Sequence, residues 1–79
     1  MVKRKVLIDS VDKIKAFVAA MSALPCEAVL RSGRHIANAA SIMGVFALDL
    51  SKPVDLEIRS TDEAALDLAS GAVAAYAVG

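Results

Sequence analysis

The sequence predicts an α+β domain with four antiparallel strands and three helices packed on one face of the sheet, in the order β-α-β-β-α-β-α. Three observations carry that prediction. Val54, Leu56 and Ile58 alternate with Asp55, Glu57 and Arg59, the two-residue period of a strand with one buried face. Val11, Ile14, Val18 and Met21 recur at spacings of three and four, which places them on one side of a helix. Finally, the chain is 57% hydrophobic but only 4% aromatic, so one-sided elements must close on an aliphatic, alanine-rich core. The 79 residues make a single domain, 1–79, too short for a two-domain enzyme with a cleft between its halves. A chain of this size buries only about 60% of the surface its unfolded form exposes, so tight packing or a partner has to supply stability.

The first strand is expected over Val2 to Ile8, with Val2, Arg4, Val6 and Ile8 on one face. Asp9 and Ser10 offer an N-cap oxygen to the free amides of the first helix. Asp12 lies in its first turn, where the dipole favours a negative charge. Phe17 and Leu24 widen the apolar stripe, and Pro25 stops the helix because it has no amide donor. Cys26 to Arg31 reads as the second strand. Ser32-Gly33 is a turn signal, and His35 to Ala39 is a weaker hairpin partner. Ser41 is a second N-cap candidate, ahead of a short helix holding Ile42, Met43, Val45, Phe46 and Leu48, whose interior Gly44 costs roughly 1 kcal/mol relative to alanine. After the break at Ser51-Lys52-Pro53 comes the alternating strand. Ser60 with Glu63 then has the spacing of a capping box. In the last helix Ala64, Leu68, Ala72 and Ala75 form the expected stripe, widened by Leu66, Val73 and Tyr76.

The composition excludes several classes of function. One cysteine cannot form an intrachain disulfide, and one histidine with one cysteine cannot complete a four-ligand structural zinc site. No cofactor or metal is expected. The apolar stretch Val6 to Ile8 behind Lys3, Arg4 and Lys5 is too short for a signal-peptide core, and no apolar run approaches the roughly 20 residues of a membrane span. A cytoplasmic protein without membrane association is the expectation. Formal charge sums to zero, yet residues 1–40 carry seven basic side chains against three acidic, and the remainder two against six. The basic residues are spread over three elements without interleaved aromatics, so a solvated surface is favoured over a nucleic-acid interface.

With the elements in this order, the stretch Ala40-Ser41-Ile42-Met43-Gly44-Val45-Phe46-Ala47-Leu48 resembles the HPr phosphocarrier family of the bacterial phosphotransferase system. That resemblance runs from about Cys26 to Tyr76 and implies the HPr-like open-faced sandwich. It also implies that Ser41 stands where some family members carry a regulatory serine, phosphorylated by an ATP-dependent kinase. Ile42, Met43 and Phe46 correspond to the short helix that the family uses for protein docking. The plain alternatives are an N-cap role for Ser41 and packing of Ile42 and Phe46 against the sheet. Ala40 departs from the family's pattern, since a lysine commonly precedes that serine.

A second departure bears on chemistry. The family's phosphoryl-accepting loop reads Gly-Leu-His-x-Arg-Pro between the first strand and first helix. This chain has Asp9-Ser10-Val11-Asp12-Lys13 there, without histidine, arginine or proline and about five residues shorter. Phosphoryl transfer through nitrogen needs an imidazole nucleophile and donors around the phosphoryl oxygens. Ser10 has no evident base to activate it, so it reads as a cap. His35, the sole histidine, belongs to the third strand and reads as a surface residue. Cys26 reads as a small buried hydrophobe, and Asp62, Glu63 and Asp67 as solvated charges near a helix N-terminus.

No catalytic residue is therefore expected, and the protein is not read as an enzyme. The leading reading is a regulatory or protein-binding module related to the phosphotransferase system, unable to carry phosphate on histidine and regulated at Ser41. Its expected partners are an HPr-type kinase, a transcription regulator or a phosphotransferase component. The alternatives are an active phosphocarrier with a divergent site and a structural, self-associating domain. A mean hydropathy of +0.57 and a last helix apolar on nearly every side favour burial against something further. A homodimer or a hetero-complex through a helical face is the expectation.

Overall fold

The computed structural model describes residues 2–78. Its elements are β1 (Val2–Val6), α1 (Val11–Ser22), β2 (Glu27–Ser32), β3 (His35–Asn38), α2 (Ile42–Phe46), β4 (Val54–Arg59) and α3 (Glu63–Val73). This is the predicted order. The four strands form one antiparallel sheet arranged β1-β4-β2-β3. The last strand in sequence therefore lies between the first two, and β1 and β3 are the edges.

Register divides the residues of β4 between the two faces of the sheet. Val54 pairs with Val6, Leu56 with Arg4 and Leu30, and Ile58 with Val2 and Ala28. Those apolar positions face the helices. They meet Ile14, Phe17, Val18 and Met21 of α1, Val45 of α2, Leu48 and Leu50 beyond it, and Ala69 and Val73 of α3 in one buried cluster. Helix α1 contacts both α2 and α3. Phe17, fully buried, meets Tyr76 edge-on with ring centroids 5.3 Å apart at 87°, a favoured geometry for two aromatic rings.

The hairpin between β2 and β3 turns on two residues, Gly33 and Arg34, between the paired Ser32 and His35. Gly33 has φ +60°, a left-handed conformation that glycine adopts without a Cβ penalty. A glycine with positive φ at the first central position is the mark of a type II′ turn, whose twist matches the strands it joins.

Four sequence expectations are corrected by the structure. The cap of α3 is Asp62, whose carboxylate accepts from the Ala64 amide at 3.0 Å, rather than Ser60. The Ser60 hydroxyl accepts from the Asp62 amide instead, at 3.1 Å. The two hydrogen bonds form a relay that starts the helix two residues later than a Ser60 cap would. The buried stripe of α3 is accordingly Ala65, Ala69 and Val73, while Ala64 and Ala75 are exposed and Leu68 is 61% exposed. Nearly every side of this helix is apolar, so periodicity alone did not fix which alanines face inward. In α1, Val11 turns outward and Phe17 takes its place in the core. The first strand ends at Val6, two residues earlier than expected, where its partner β4 begins at Val54, and Val6 also bridges to Ala77. The Leu7 amide donates to the Tyr76 carbonyl at 3.0 Å, and the Val78 amide donates to the Lys5 carbonyl at 2.9 Å.

The α3 register makes a stability prediction. Leu68→Ala changes unfolding free energy by no more than about 0.5 kcal/mol, as for an ordinary surface position. Ala69→Leu, which forces three carbons into a filled core, costs about 1–3 kcal/mol. Urea denaturation of the two variants checks the pair, and the reverse ranking would restore the Leu68 stripe.

Candidate functional site

Three places on this scaffold bear on function: the start of α1, the exposed face of α2, and the side of the sheet opposite the helices. At the start of α1, Ser10 is the N-cap, and its hydroxyl oxygen accepts from the Lys13 amide at 3.2 Å. The Lys13 ammonium in turn lies 3.2 Å from the Asp9 carboxylate. The residues entering the helix thus satisfy one another with local hydrogen bonds and an i,i+4 ion pair. A serine hydroxyl used as a cap acceptor, with a carboxylate already engaged by lysine, has no base poised to activate it. His35 is exposed on β3, at the opposite edge of the sheet from the strand that leads into α1. The structure does not bring Ser10 and His35 together into a nucleophile–base pair.

Ser41 caps α2 as expected, its hydroxyl oxygen accepting from the Gly44 amide at 3.4 Å. It is exposed, and its own amide donates to the Asn38 carbonyl at 2.9 Å. The Asn38 side chain accepts from the Ala40 amide at 2.8 Å. Together these bonds hold the link from β3 to α2 in one shape. The five-residue helix buries only Val45. It presents Ile42, Met43 and Phe46 outward, 37%, 80% and 46% exposed. A single-turn helix spends three of its apolar side chains on solvent because its one inward residue is enough to seat it. Cys26 is half-buried beside the core; Asp62 and Glu63 are exposed at the start of α3 and Asp67 one turn further along it. Among the described residues, no three His, Cys, Asp or Glu side chains gather as a metal ion would require. No described helix is long and apolar enough to cross a membrane.

On the other side of the sheet lies an arrangement that the sequence did not reveal. Glu57 of β4 is buried to 7% exposure and surrounded by three cations from three strands. Arg31 lies 3.4 Å from its carboxylate, Lys3 3.6 Å and Arg59 3.6 Å. Lys5 pairs with Asp55 at 3.3 Å and Arg59 reaches Glu27 at 3.9 Å. Desolvation pushes the Glu57 pKa up, but the Arg31 hydrogen bond and the charges of Arg31, Lys3 and Arg59 hold it below the usual 4.5. In the link from α2 to β4, the Ser51 hydroxyl donates to Asp49 at 2.6 Å and the Ser51 amide at 3.2 Å. These bonds, with the charge of Lys52, lower the Asp49 pKa against a smaller upward push from burial. Strand alternation in β4 was a legible signal for a charged face. The partners were not, because only the order β1-β4-β2 places Lys3 and Arg31 on either side of Glu57.

Comparison with solved structures places this architecture. The chain superposes on the crystal structure of HPr-C-His from Thermoanaerobacter tengcongensis with a TM-score of 0.74 and 20% sequence identity. The match covers 95% of this chain and 93% of that one. The protein therefore has the HPr-like fold, an open-faced β-α-β-β-α-β-α sandwich. No protein-family model matches the sequence, and no curated protein is similar to it at the sequence level.

The Glu57 cluster has a defined pH signature. A carboxylate whose folded pKa is depressed contributes stability that is present above its unfolded pKa and is lost as pH falls through the folded one. The urea midpoint of the native protein should therefore fall with acidification below the usual glutamate value of 4.5. Glu57→Gln should lower the midpoint near neutrality and make that acid decline shallower. An acid limb unchanged by the substitution would show that the cluster contributes nothing.

Proposed function

We propose that this protein is an HPr-like regulatory or protein-binding module of a bacterial phosphotransferase network, acting in the cytoplasm, that does not carry phosphate on histidine. The observation that carries the reading is the start of α1. There the resembling family places its phosphoryl-accepting histidine, and this chain has a Ser10 cap hydrogen-bonded to the Lys13 amide and an Asp9–Lys13 ion pair. With no imidazole at the helix start, phosphoenolpyruvate-derived phosphate has no nucleophile to receive it there.

In this reading the functional surface is the outward side of α2. Ile42, Met43 and Phe46 are the docking residues, and Ser41 beside them is the point of control. Flexible Met43 suits a surface that must adapt to a partner, as thioether side chains do. A phosphate added to the Ser41 oxygen brings about two negative charges to the cap position. That charge sits at the edge of the apolar patch, so modification changes which partners can dock. A charge-complementary partner gains from it and an apolar one is repelled. The partners proposed are an HPr-type kinase, a transcription regulator or a phosphotransferase component.

An HPr-type serine kinase and ATP should add one phosphate to the intact chain, as read by mass. Ser41→Ala should abolish the addition. Met43→Asp should leave the melting temperature unchanged, because the side chain is 80% exposed, while lowering kcat/KM for phosphorylation about tenfold or more, as for an interface hot spot. A phosphate that survives Ser41→Ala would contradict the reading, as would full activity on the Met43→Asp chain.

A further inference from the structure

The charges left over from the Glu57 cluster gather at one end of the sheet. There the β2–β3 turn, the end of β1 and the link from α2 to β4 surround a cleft of about 510 Å³. Arg34 and His35 line it from the turn, Lys52 from the link, and Lys5 and Arg31 from the sheet. Asp49 and Asp55 are the acidic side chains on its wall. Both are already occupied: Asp49 accepts from Ser51, and Asp55 is paired with Lys5. Among the described residues, no hydrogen bond or ion pair engages the side chains of Arg34, His35 or Lys52. The lining thus carries four basic side chains against two carboxylates. Lys5 and Arg31 are paired with Asp55 and Glu57, which leaves Arg34 and Lys52, among the described residues of the lining, as the cations without an ion-pair partner, in a molecule whose formal charge is zero.

We propose that this cleft binds a compact anion of the diphosphate class, held by Arg34, His35 and Lys52 with Lys5 and Arg31 behind them. The volume lies within the range of small-molecule sites, about 300–1,000 Å³, but the cationic lining is wrong for an apolar ligand. No phenylalanine, tyrosine or tryptophan lines the cleft, so there is no large aromatic platform on which a nucleobase could stack. An arginine fork matches phosphate oxygens two at a time, and a lysine adds a point charge. His35 supplies a ring N–H donor. The cations come from three separate chain segments around the cleft, which suits an anion with two charged centres better than a single phosphate. The Gly33 conformation, φ +60°, fixes the two-residue turn and so sets Arg34 and His35 side by side at the rim before any ligand arrives. The cleft shares no residue with the α2 patch or the start of α1, so this site stands apart from the proposed docking function.

Titration of the full chain with inorganic pyrophosphate, followed by ¹H–¹⁵N NMR at constant ionic strength, tests the site. Saturable shifts should centre on Gly33, Arg34, His35 and Lys52 and leave Ser10 to Lys13 and Ser41 to Phe46 unmoved. The Arg34→Ala/Lys52→Ala double variant should melt like the native protein and bind at least tenfold more weakly, roughly the cost of losing charge-assisted hydrogen bonds. Lys13→Ala/Lys15→Ala, which removes the same charge from α1, should bind as the native chain does. The proposal is overturned by shifts that never saturate, by an equal response to sulfate, or by equal weakening in the two double variants.

Discussion

Strand β4 is the element on which the rest of the structure depends. Among the described residues it is the only strand that pairs with both β1 and β2, and its strict alternation gives the sheet two chemically opposite faces. Val54, Leu56 and Ile58 are buried beneath the helices, and burying each is worth about 1.5–3 kcal/mol relative to leaving it exposed. Asp55, Glu57 and Arg59 bind the opposite face by charge. A register slip of one residue would turn the charged set into the core and the apolar set into water. The alternation therefore fixes pairing, helix placement and the location of the charge cluster at once.

Much of this was legible because single residues left few alternatives. The Val54-to-Arg59 alternation and Ser41 ahead of Ile42 put β4 and the cap of α2 where they lie, while α1 ends at Ser22, short of the Leu24 that the stop at Pro25 left inside it. What stayed hidden depended on contacts distant in sequence. Ser60 and Asp62 are both good caps, and the choice of Asp62 turned on a relay between them. The inward face of α3 was decided by packing of small alanines rather than by a contrast between apolar and polar sides. The hydrogen bonds of the chain end to β1 through Leu7 and Val78 leave no local sequence mark. The exposed state of Ile42, Met43 and Phe46 was half-legible: the short helix was evident, but not that Val45 alone would seat it.

The structure also converts the uneven charge along the chain into a division of space. Lys3 and Lys5 of β1, Arg31 of β2 and Arg59 of β4 meet acidic partners across the sheet, while Arg34 and Lys52 are left at its end. The acidic residues Asp9, Asp12, Asp62 and Glu63 lie instead at or just before helix N-termini, where the dipoles favour them, and Asp67 is exposed one turn further along α3. An uncharged total thus conceals a cationic sheet end and an acidic set of helix starts. The apolar α2 patch belongs to neither, which keeps the proposed docking surface chemically distinct from both.

The central functional claim is that this HPr-like fold has no phosphoryl-accepting histidine at the start of α1. The direct measurement is incubation of the full chain with phosphoenolpyruvate and the general phosphotransferase enzyme, followed by intact-mass and ³¹P NMR analysis. The account predicts no phosphate on the protein beside a conventional HPr that is labelled in the same mixture. Stoichiometric, acid-labile phosphate on this chain, carried by His35 as its sole histidine, would contradict it.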